Sequence, residues 1–445
     1  MKLKIKLTKN GKFALNCGIM ALLLCLRCIN NLFIYPALIF GVIYILSCER
    51  NKCFPFLLFV LPFSSIYKFE PAQISMFTLL YGLYVLRTLP GRKFTHKFIL
   101  LLIAFFVYSL AVSGFSQLTT IITMICGFLI INSVSGGDEC DYKTAVYAYS
   151  AGIIAASVLA MFRYSLPILD YILWYDKNLN YGHISSHYRF NGLEGDPNYY
   201  SMYILAVLAC LTVMILKERK NGVNLLLFSV LSVLGLLSVS KMFLLVWAAL
   251  LIILLINSIK AGTKKFISVV LLFLIGGTLA YFFAGDAIDS YIFRFSGLKN
   301  ESLSDLTTGR SAIRKTYLSA IFGSMKTMFL GEGLNSILPN YRYVSHDTYI
   351  QSWYSLGLIG SVIYILTLKN AIRLPQHIKR DIALNIPILI LMVTMLGLGT
   401  ISSDALPFLI ALICLMKKHY REEDNLETET ETEIESRPDM KYKTA

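Results

Sequence analysis

The chain has 445 residues, of which 56% are hydrophobic and 15% are charged. A soluble domain carries about 25% charged residues, so this composition excludes an ordinary soluble fold. The formal net charge is +14, but Lys and Arg lie in short connections between apolar runs. That arrangement is typical of a membrane protein and gives no indication of nucleic acid as a partner.

Apolar runs of about 15–20 residues, long enough for a helix to cross the hydrocarbon core, recur along the chain. The first apolar run follows a basic N-terminal segment, and no small-residue cleavage pattern follows the run. We therefore expect a retained helix and not a signal peptide. We predict an all-α fold, a polytopic transmembrane helical bundle over residues 1–416 with 12–14 spans. The candidate spans are 13–26, 31–48, 54–67, 73–88, 98–115, 117–133, 145–162, 199–216, 223–238, 242–258, 266–284, 348–367, 383–399 and 403–416.

The charges of the connecting loops predict the orientation. If the N-terminus is cytoplasmic, most connections rich in Lys and Arg fall on the cytoplasmic side, as the positive-inside rule requires. The two long polar loops, 163–198 and 286–347, then lie on the outer face, and we expect a helix in the second. The low-complexity acidic residues 417–445 are expected to form a disordered cytoplasmic tail.

Two basic residues on the predicted outer face adjoin spans. Arg189 opens the segment Arg189-Phe-Asn-Gly-Leu-Glu-Gly-Asp-Pro-Asn198, and its planar guanidinium suits a phosphate group. The alternative is a simple turn that holds Arg189 at headgroup level. Lys241 ends the segment Ser238-Val-Ser-Lys241, and a lysine on the outer face runs against the positive-inside bias, so we expect a group that compensates its charge. The alternative is that the Lys241 side chain snorkels from a helix end.

Two further segments lie in or after the second long loop. Thr307 or Thr308 is placed to cap a helix that starts near Gly309, which would put Arg310 and Arg314 on one face at its positive end. That pair forms either an anion site or a solvated basic face.

His346 precedes the span that begins at residue 348. The helix dipole there keeps the imidazole neutral, as a base requires, although a loop histidine taken alone is more often structural.

Taken together, these residues come from separate segments but fall on one predicted face. Several cations and a neutral base indicate a site that holds a charged phosphate leaving group and deprotonates a hydroxyl. The outer loops contain no Asp-x-Asp pair, and Asp286 and Asp289 are a weak metal pair, so we expect Arg and Lys to stabilise the leaving charge, without metal or cofactor.

Over residues 185–400 the chain resembles the O-antigen ligase/polymerase family of bacterial polysaccharide assembly. The matching elements are Arg189, Gly192, Asp196-Pro-Asn198, Ser240-Lys241, Gly309-Arg310, Gly331-Glu-Gly333, His346-Asp-Thr-Tyr349 and Gly357-Leu-Ile-Gly360. Lys241 departs from the family's usual Arg and loses bidentate geometry. Asp347 departs from the usual Asn and is expected to raise the pKa of His346.

The resemblance implies a metal-independent, inverting glycosyltransferase of the bacterial cytoplasmic membrane. The donor would be an oligosaccharide on undecaprenyl pyrophosphate and the acceptor a sugar hydroxyl of a surface polysaccharide (capsule, O-antigen or exopolysaccharide). Other polysaccharide export proteins and the lipid bilayer would be its further partners. Arg189 and Arg310 would hold the pyrophosphate, Lys241 would assist, and His346 would activate the hydroxyl, unless Asp196 or Glu194 is the base. The other substrate-binding candidates are Arg314, Asn198, Asp347 and Tyr349.

Three functions remain open from the sequence. The chain is a repeat-unit polymerase, which we favour, a ligase that passes finished chains to lipid A core or another acceptor, or a lipid-linked oligosaccharide flippase or transporter. A transporter usually places ionisable residues inside its spans, whereas these spans are nearly free of charge.

Overall fold

The structure, a computed structural model, has helices joined by loops and no strand among the residues that it describes. These are residues 8–70, 74–137, 140–173, 189–218, 221–260, 310–339, 344–373, 381–399 and 401–436, with a few residues between 262 and 292. The helices are α1 (Lys9–Ile29), α2 (Ile34–Ser47), α3 (Arg50–Val60), α4 (Met76–Thr88), α5 (His96–Ser113), α6 (Leu118–Gly136), α7 (Tyr142–Met161), α8 (Pro197–Lys217), α9 (Gly222–Leu236), α10 (Lys241–Lys260), α11 (Arg310–Gly323), α12 (Met325–Phe329), α13 (Thr348–Ala371), α14 (Ile386–Met395) and α15 (Ala405–Ser436).

Seven of these helical segments are long and apolar enough to cross a membrane: α1, α5, α6 with the turn before it, α7, α8, α10 up to Ile259, and α13. Three shorter apolar segments, Asn31–Ser47, Gly222–Leu236 and Ala383–Met395, accompany them. On α5 the side chains of Leu100, Ile103 and Val107 are all more than half exposed. Such outward aliphatic faces fit a lipid environment. The all-α prediction is confirmed, whereas a total of 12–14 crossings remains a prediction.

The interior of the bundle is built around α8, which is buried along nearly its whole length. Small residues allow close helix packing elsewhere. A Cβ added at Gly152 of α7 would lie 2.3 Å from the backbone oxygen of Phe59 in α3. A Cβ added at Gly127 of α6 would lie 2.5 Å from the ring of Pro407 in α15. These glycines therefore set how closely α7 and α6 approach their neighbours.

Most predicted spans coincide with a helix to within a few residues, and the last helix extends beyond the predicted span 403–416. The helix that starts at Ala405 continues through Lys417 to Ser436. Contacts hold the residues just after the predicted span: Lys417 donates to Asn385, and the Tyr420 hydroxyl donates to Glu218. Glu is a good helix former, so an acidic sequence extends an anchored helix readily. The predicted span 266–284 lies largely outside the described residues.

A break in α13 separates its first turns from the rest of the helix. Gly357 has a φ of 63°, and Gly331 and Gly333 have φ of 84° and 97°, values that favour glycine. The N–H groups of Glu332 and Gly333 donate to Tyr354 and Ser355, the carbonyls freed by the break. The two glycine motifs therefore pack against each other and orient the first turns of α13, which carry the site described below.

Candidate functional site

The N-terminus of α13 holds the segment Ser345–Asp347 in a specific conformation. Asp347 caps the helix, and its Oδ1 accepts from the N–H groups of Tyr349 and Ile350 at 3.0 and 3.1 Å. The Ser345 hydroxyl donates to the carbonyl of Asp347, and its N–H donates to Gln351. His346, between them, has a φ of 51°, which is uncommon outside glycine. These hydrogen bonds fix the backbone on both sides of His346 at the start of the helix.

The two arginines of α11 reach one backbone segment, as their spacing predicts. Arg310 donates to the carbonyl of Gly397 at 3.0 Å, and Arg314 donates to the carbonyl of Leu396. Residues 396–399 connect α14 to α15, and we refer to them as the carbonyl loop. The prediction that these two side chains share a face is confirmed. The expected capping residues of α11, Thr307 or Thr308, lie outside the described residues.

Side chains from two other helices also donate hydrogen bonds to the carbonyl loop. Thr348, the first residue of α13, donates its hydroxyl to Leu398, and Tyr199 in α8 donates its hydroxyl to Gly399 at 2.7 Å. Four consecutive carbonyls therefore hold side chains from α8, α11 and α13 at one place. The motif analysis missed this loop; its only sequence signal is the pair of glycines at 397 and 399 between two short apolar runs.

Asp347 forms an ion pair with Arg314, with 3.3 Å between Oδ2 and Nε. The aspartate side chain is 6% exposed and the arginine side chain 31% exposed. Asp347 therefore has two structural tasks, capping α13 and pairing with α11. Because of this pairing, Arg314 carries less free positive charge than Arg310 toward an anion.

The pKa of His346 falls from 6.5 to about 4, chiefly because burial disfavours the imidazolium. The positive charge of Arg310 lowers it further, the negative charge of Asp196 raises it, and Arg314 lowers it. The expectation that Asp347 raises this pKa is wrong: its carboxylate is directed to Arg314 and to helix N–H groups. Asp196 is the carboxylate that acts on the imidazole, and the ring is neutral at neutral pH.

Asn198 forms hydrogen bonds to both the segment 189–198 and the segment 238–241. Its Oδ1 accepts from Arg189 at 3.3 Å and from the Ser240 hydroxyl at 3.1 Å, and its Nδ2 donates to Asp196 at 2.8 Å. Arg189 also donates to the carbonyl of Ser238 at 3.2 Å. Asp196 caps α8 through the N–H of Asn198. The segments around residues 189, 198 and 240 therefore form one hydrogen-bonded network, and Asp196 connects it electrostatically to His346.

The remaining predicted residues lie around this network with less specific placement. Lys241 is the first residue of α10, directly after Ser240. Its neighbour Met242 approaches the carbonyl loop, since a Cβ at Gly397 would lie 3.0 Å from the Met242 sulfur. Glu194 lies in a turn closed by its N–H to Asn191, and Tyr349 directs its hydroxyl away, to Met392 in α14. Tyr349 is tied to the site by its backbone N–H, which donates to Asp347, and Lys241 by its neighbours Ser240 and Met242.

The arrangement places guanidinium groups, an acid and a neutral imidazole at the meeting point of helices that are distant in sequence. Such a set can bind an oxyanion through charge-assisted hydrogen bonds and accept a proton from a hydroxyl. Among the described residues, no group of three or more His, Cys, Asp or Glu side chains is placed to hold a metal ion. Asp286 and Asp289 lie outside the described residues.

Comparisons with known proteins add no further assignment. Neither the protein-family models, nor the curated proteins, nor the solved structures give a match to this chain.

Proposed function

We propose that the chain is a membrane glycosyltransferase that moves an oligosaccharide from undecaprenyl pyrophosphate to an acceptor sugar hydroxyl, as a repeat-unit polymerase of surface polysaccharide. Arg310 and Arg189 bind the pyrophosphate, and Lys241 and Arg314 assist. His346 takes the proton of the acceptor hydroxyl. No metal takes part, because the guanidinium groups stabilise the leaving charge. The site opens on the outer face of the bacterial cytoplasmic membrane, in a bundle of 12–14 spans with both termini inside.

The observation that carries the proposal is the electrostatic environment of His346. Arg310 and Arg314 from α11 and Asp196 from the start of α8 all act on this one ring, although they are far apart in sequence. A histidine that only stabilised the fold would have no need of two guanidinium groups that disfavour its protonation. A pyrophosphate bound between Arg310 and Arg314 would explain why two guanidinium groups lie close to a neutral histidine.

The pKa of about 4 also has a mechanistic consequence. It keeps the imidazole neutral in the empty site, but a base with so low a pKa accepts a proton only weakly. A pyrophosphate bound to Arg310 and Arg314 would offset their positive charge, and the pKa of His346 would then rise. Donor binding would thereby activate the base, so that the acceptor is deprotonated only when a donor is present.

Asp196 is the alternative base. Its Oδ1 accepts from the backbone and side-chain nitrogens of Asn198, so one oxygen is already held by hydrogen bonds. Its effect on the pKa of His346 also fits a second role, in which it stabilises the imidazolium that forms after proton transfer. Glu194 is not among the groups whose charges act on this ring, which makes it the weaker candidate.

The test uses cells that lack the native gene and produce single variants. Arg189→Ala, Arg310→Ala and His346→Ala should each abolish long-chain polysaccharide while the protein is inserted at normal levels. Arg163→Ala is the matched control, because Arg163 is a predicted outer-face arginine that contacts Asp170 and the ring of Tyr164 and none of the site residues named above. This variant should retain normal chains.

The accumulated product identifies the reaction. Single repeat units on the lipid carrier indicate a polymerase, and long chains stranded on the carrier indicate a ligase. Lipid-linked units trapped on the cytoplasmic side would indicate a flippase and overturn the proposal. Normal chain lengths in all three variants would remove the catalytic assignment.

A further inference from the structure

A second polar site lies at the opposite end of the bundle from His346. Helix α6 begins beside Asn335, which donates to Gln117 and Thr120 and accepts from Ser402, just after the carbonyl loop. The other end of α6 carries Ser133, about 20 Å further along at 1.5 Å per residue. There the ends of α4 and α6 meet the start of α3 around a cavity. Its lining residues are Arg50, Asn51, Tyr84, Thr88, Arg92, Ser133, Val134, Gly137 and Cys140.

Two arginines of this cavity have no acidic partner in the part of the chain that the structure describes. Arg50 is the first residue of α3, and Arg92 follows α4; neither side chain makes an ion pair or a hydrogen bond among the described residues. Arg92 is half-buried and approaches Gly137 closely, since a Cβ there would lie 2.6 Å from its Nη2. Asp138 and Glu139 follow in the sequence but lie outside the described residues.

Neutral groups in the same cavity also have unused hydrogen-bonding capacity. Ser133 is 5% exposed, and its hydroxyl interacts with that of Tyr84 but makes no hydrogen bond of normal distance and angle among the described residues. The Oδ1 of Asn51 is buried and unpaired there. A buried polar group without a well-formed hydrogen bond is costly, so a ligand or water is expected at this point.

The wider charge around the cavity is also positive. Lys418 donates to the carbonyl of Gly137, and Lys52 and Lys418 act electrostatically on Cys140. Asp141 is the acidic group that acts on Cys140, but its carboxylate caps α7 through the N–H groups of Lys143 and Thr144. Glu49, which precedes Arg50, pairs with Lys9 at 3.0 Å, so both of these described carboxylates already have partners.

We propose that the cavity between Arg50 and Arg92 binds a phosphate-type oxyanion, either the headgroup of an anionic phospholipid or free phosphate. Both guanidinium groups present donors that match phosphate oxygens, and the Ser133 hydroxyl supplies a further donor. The sequence places this end on the cytoplasmic side, where anionic lipids are concentrated and basic pockets between helices bind their headgroups. The site is independent of the sugar-transfer site and would anchor the bundle in its leaflet.

The test uses the full chain purified in nanodiscs that contain phosphatidylcholine with a graded fraction of phosphatidylglycerol. Native mass spectrometry then counts the phosphatidylglycerol molecules that stay bound after the nanodisc is removed. Arg50→Gln/Arg92→Gln should weaken retention about tenfold. Ser133→Ala changes no charge and removes no hydrogen bond of normal distance and angle among the described residues; it should weaken retention about threefold without loss of folding.

The control is Lys97→Gln/Lys369→Gln. Lys97 lies in the first turn of α5, and Lys369 lies in the last turn of α13, whose end contacts Asn132 of α6. Both are exposed at the same end of the bundle, and neither lines the cavity. This variant should change retention less than about twofold.

A second arm adds inorganic phosphate to the chain in pure phosphatidylcholine nanodiscs and follows thermal unfolding. Stabilisation of the wild type that is lost in Arg50→Gln/Arg92→Gln would identify free phosphate as a ligand. Equal phosphatidylglycerol retention by the wild type and both site variants, with no effect of phosphate, would overturn the proposal. Equal loss in the lysine control would also overturn it, because general surface charge would then explain the binding.

Discussion

The ion pair between Asp347 and Arg314 allows the anion-binding role of α11 to be separated from its structural role. Asp347→Asn keeps an oxygen that can cap α13 but removes the charge that partly neutralises Arg314. Asp347→Ala removes both the cap and the charge. The first variant should remain active, because its side-chain oxygen still caps α13 and Arg314 keeps its charge.

The magnitudes follow from the geometry. For charges 3.3 Å apart, Coulomb's law gives about 5 kcal/mol at an effective dielectric constant of about 20 and about 1 kcal/mol in bulk water. Arg314 is about a third exposed, so screening places the pair at about 1–2 kcal/mol. Asp347→Asn should lower the free energy of unfolding by that amount. Asp347→Ala should lower it by about 1 kcal/mol more, the usual contribution of an N-cap.

The binding of an anion should change in the opposite direction. With Asp347→Asn, Arg314 carries its full charge toward the site, so a polyprenyl pyrophosphate should bind about three- to tenfold more tightly. The assay is titration of the purified chain in nanodiscs, with thermal unfolding of the same samples measured in parallel. Weaker pyrophosphate binding by a folded Asp347→Asn variant would refute the reasoning, because the arginine would then serve only the fold.

Three further predictions follow from individual contacts. Because the neutral form of His346 is the base, kcat/KM of the wild type should be constant at neutral pH and fall as pH drops through about 4. Arg310→Gln removes a charge that lowers this pKa, so an NMR titration of the His346 ring in this variant should show its pKa shifted to higher pH. Gly331→Ala, at a φ of 84° and with a Cβ only 2.4 Å from a backbone oxygen, should lower the free energy of unfolding by at least about 2 kcal/mol. Gly323→Ala, which meets no atom within 4 Å, should have no such effect in the same unfolding measurement. Tyr108→Phe removes a hydroxyl that lies within hydrogen-bond distance of the carbonyls of Leu330 and Leu356, next to the two packed glycine motifs. It should lower the melting temperature by an amount that corresponds to about 1 kcal/mol; an unchanged melting temperature would show that the glycine contacts alone hold the break.

The helices were predictable from the sequence because a long apolar run has few alternatives to a helix in lipid. The pairing of Arg310 with Arg314 was equally predictable, since it depends on local helical spacing. The partner of Asp347 was not, because the choice between His346, its sequence neighbour, and Arg314 depends on how α11 packs against α13. For the same reason the carbonyl loop could not be found: its backbone oxygens carry no sequence signature, and their role follows only from the approach of three helices.

The central claim is that His346 accepts a proton at a site where arginines hold a pyrophosphate. Its most direct test is transfer by the purified chain in proteoliposomes, supplied with labelled repeat units on undecaprenyl pyrophosphate, with the wild type and His346→Ala compared at equal amounts of folded protein. Our account predicts that the wild type lengthens the chains and releases the lipid pyrophosphate, and that the variant does so at least about 100-fold more slowly. Chain growth by His346→Ala at the wild-type rate would contradict it.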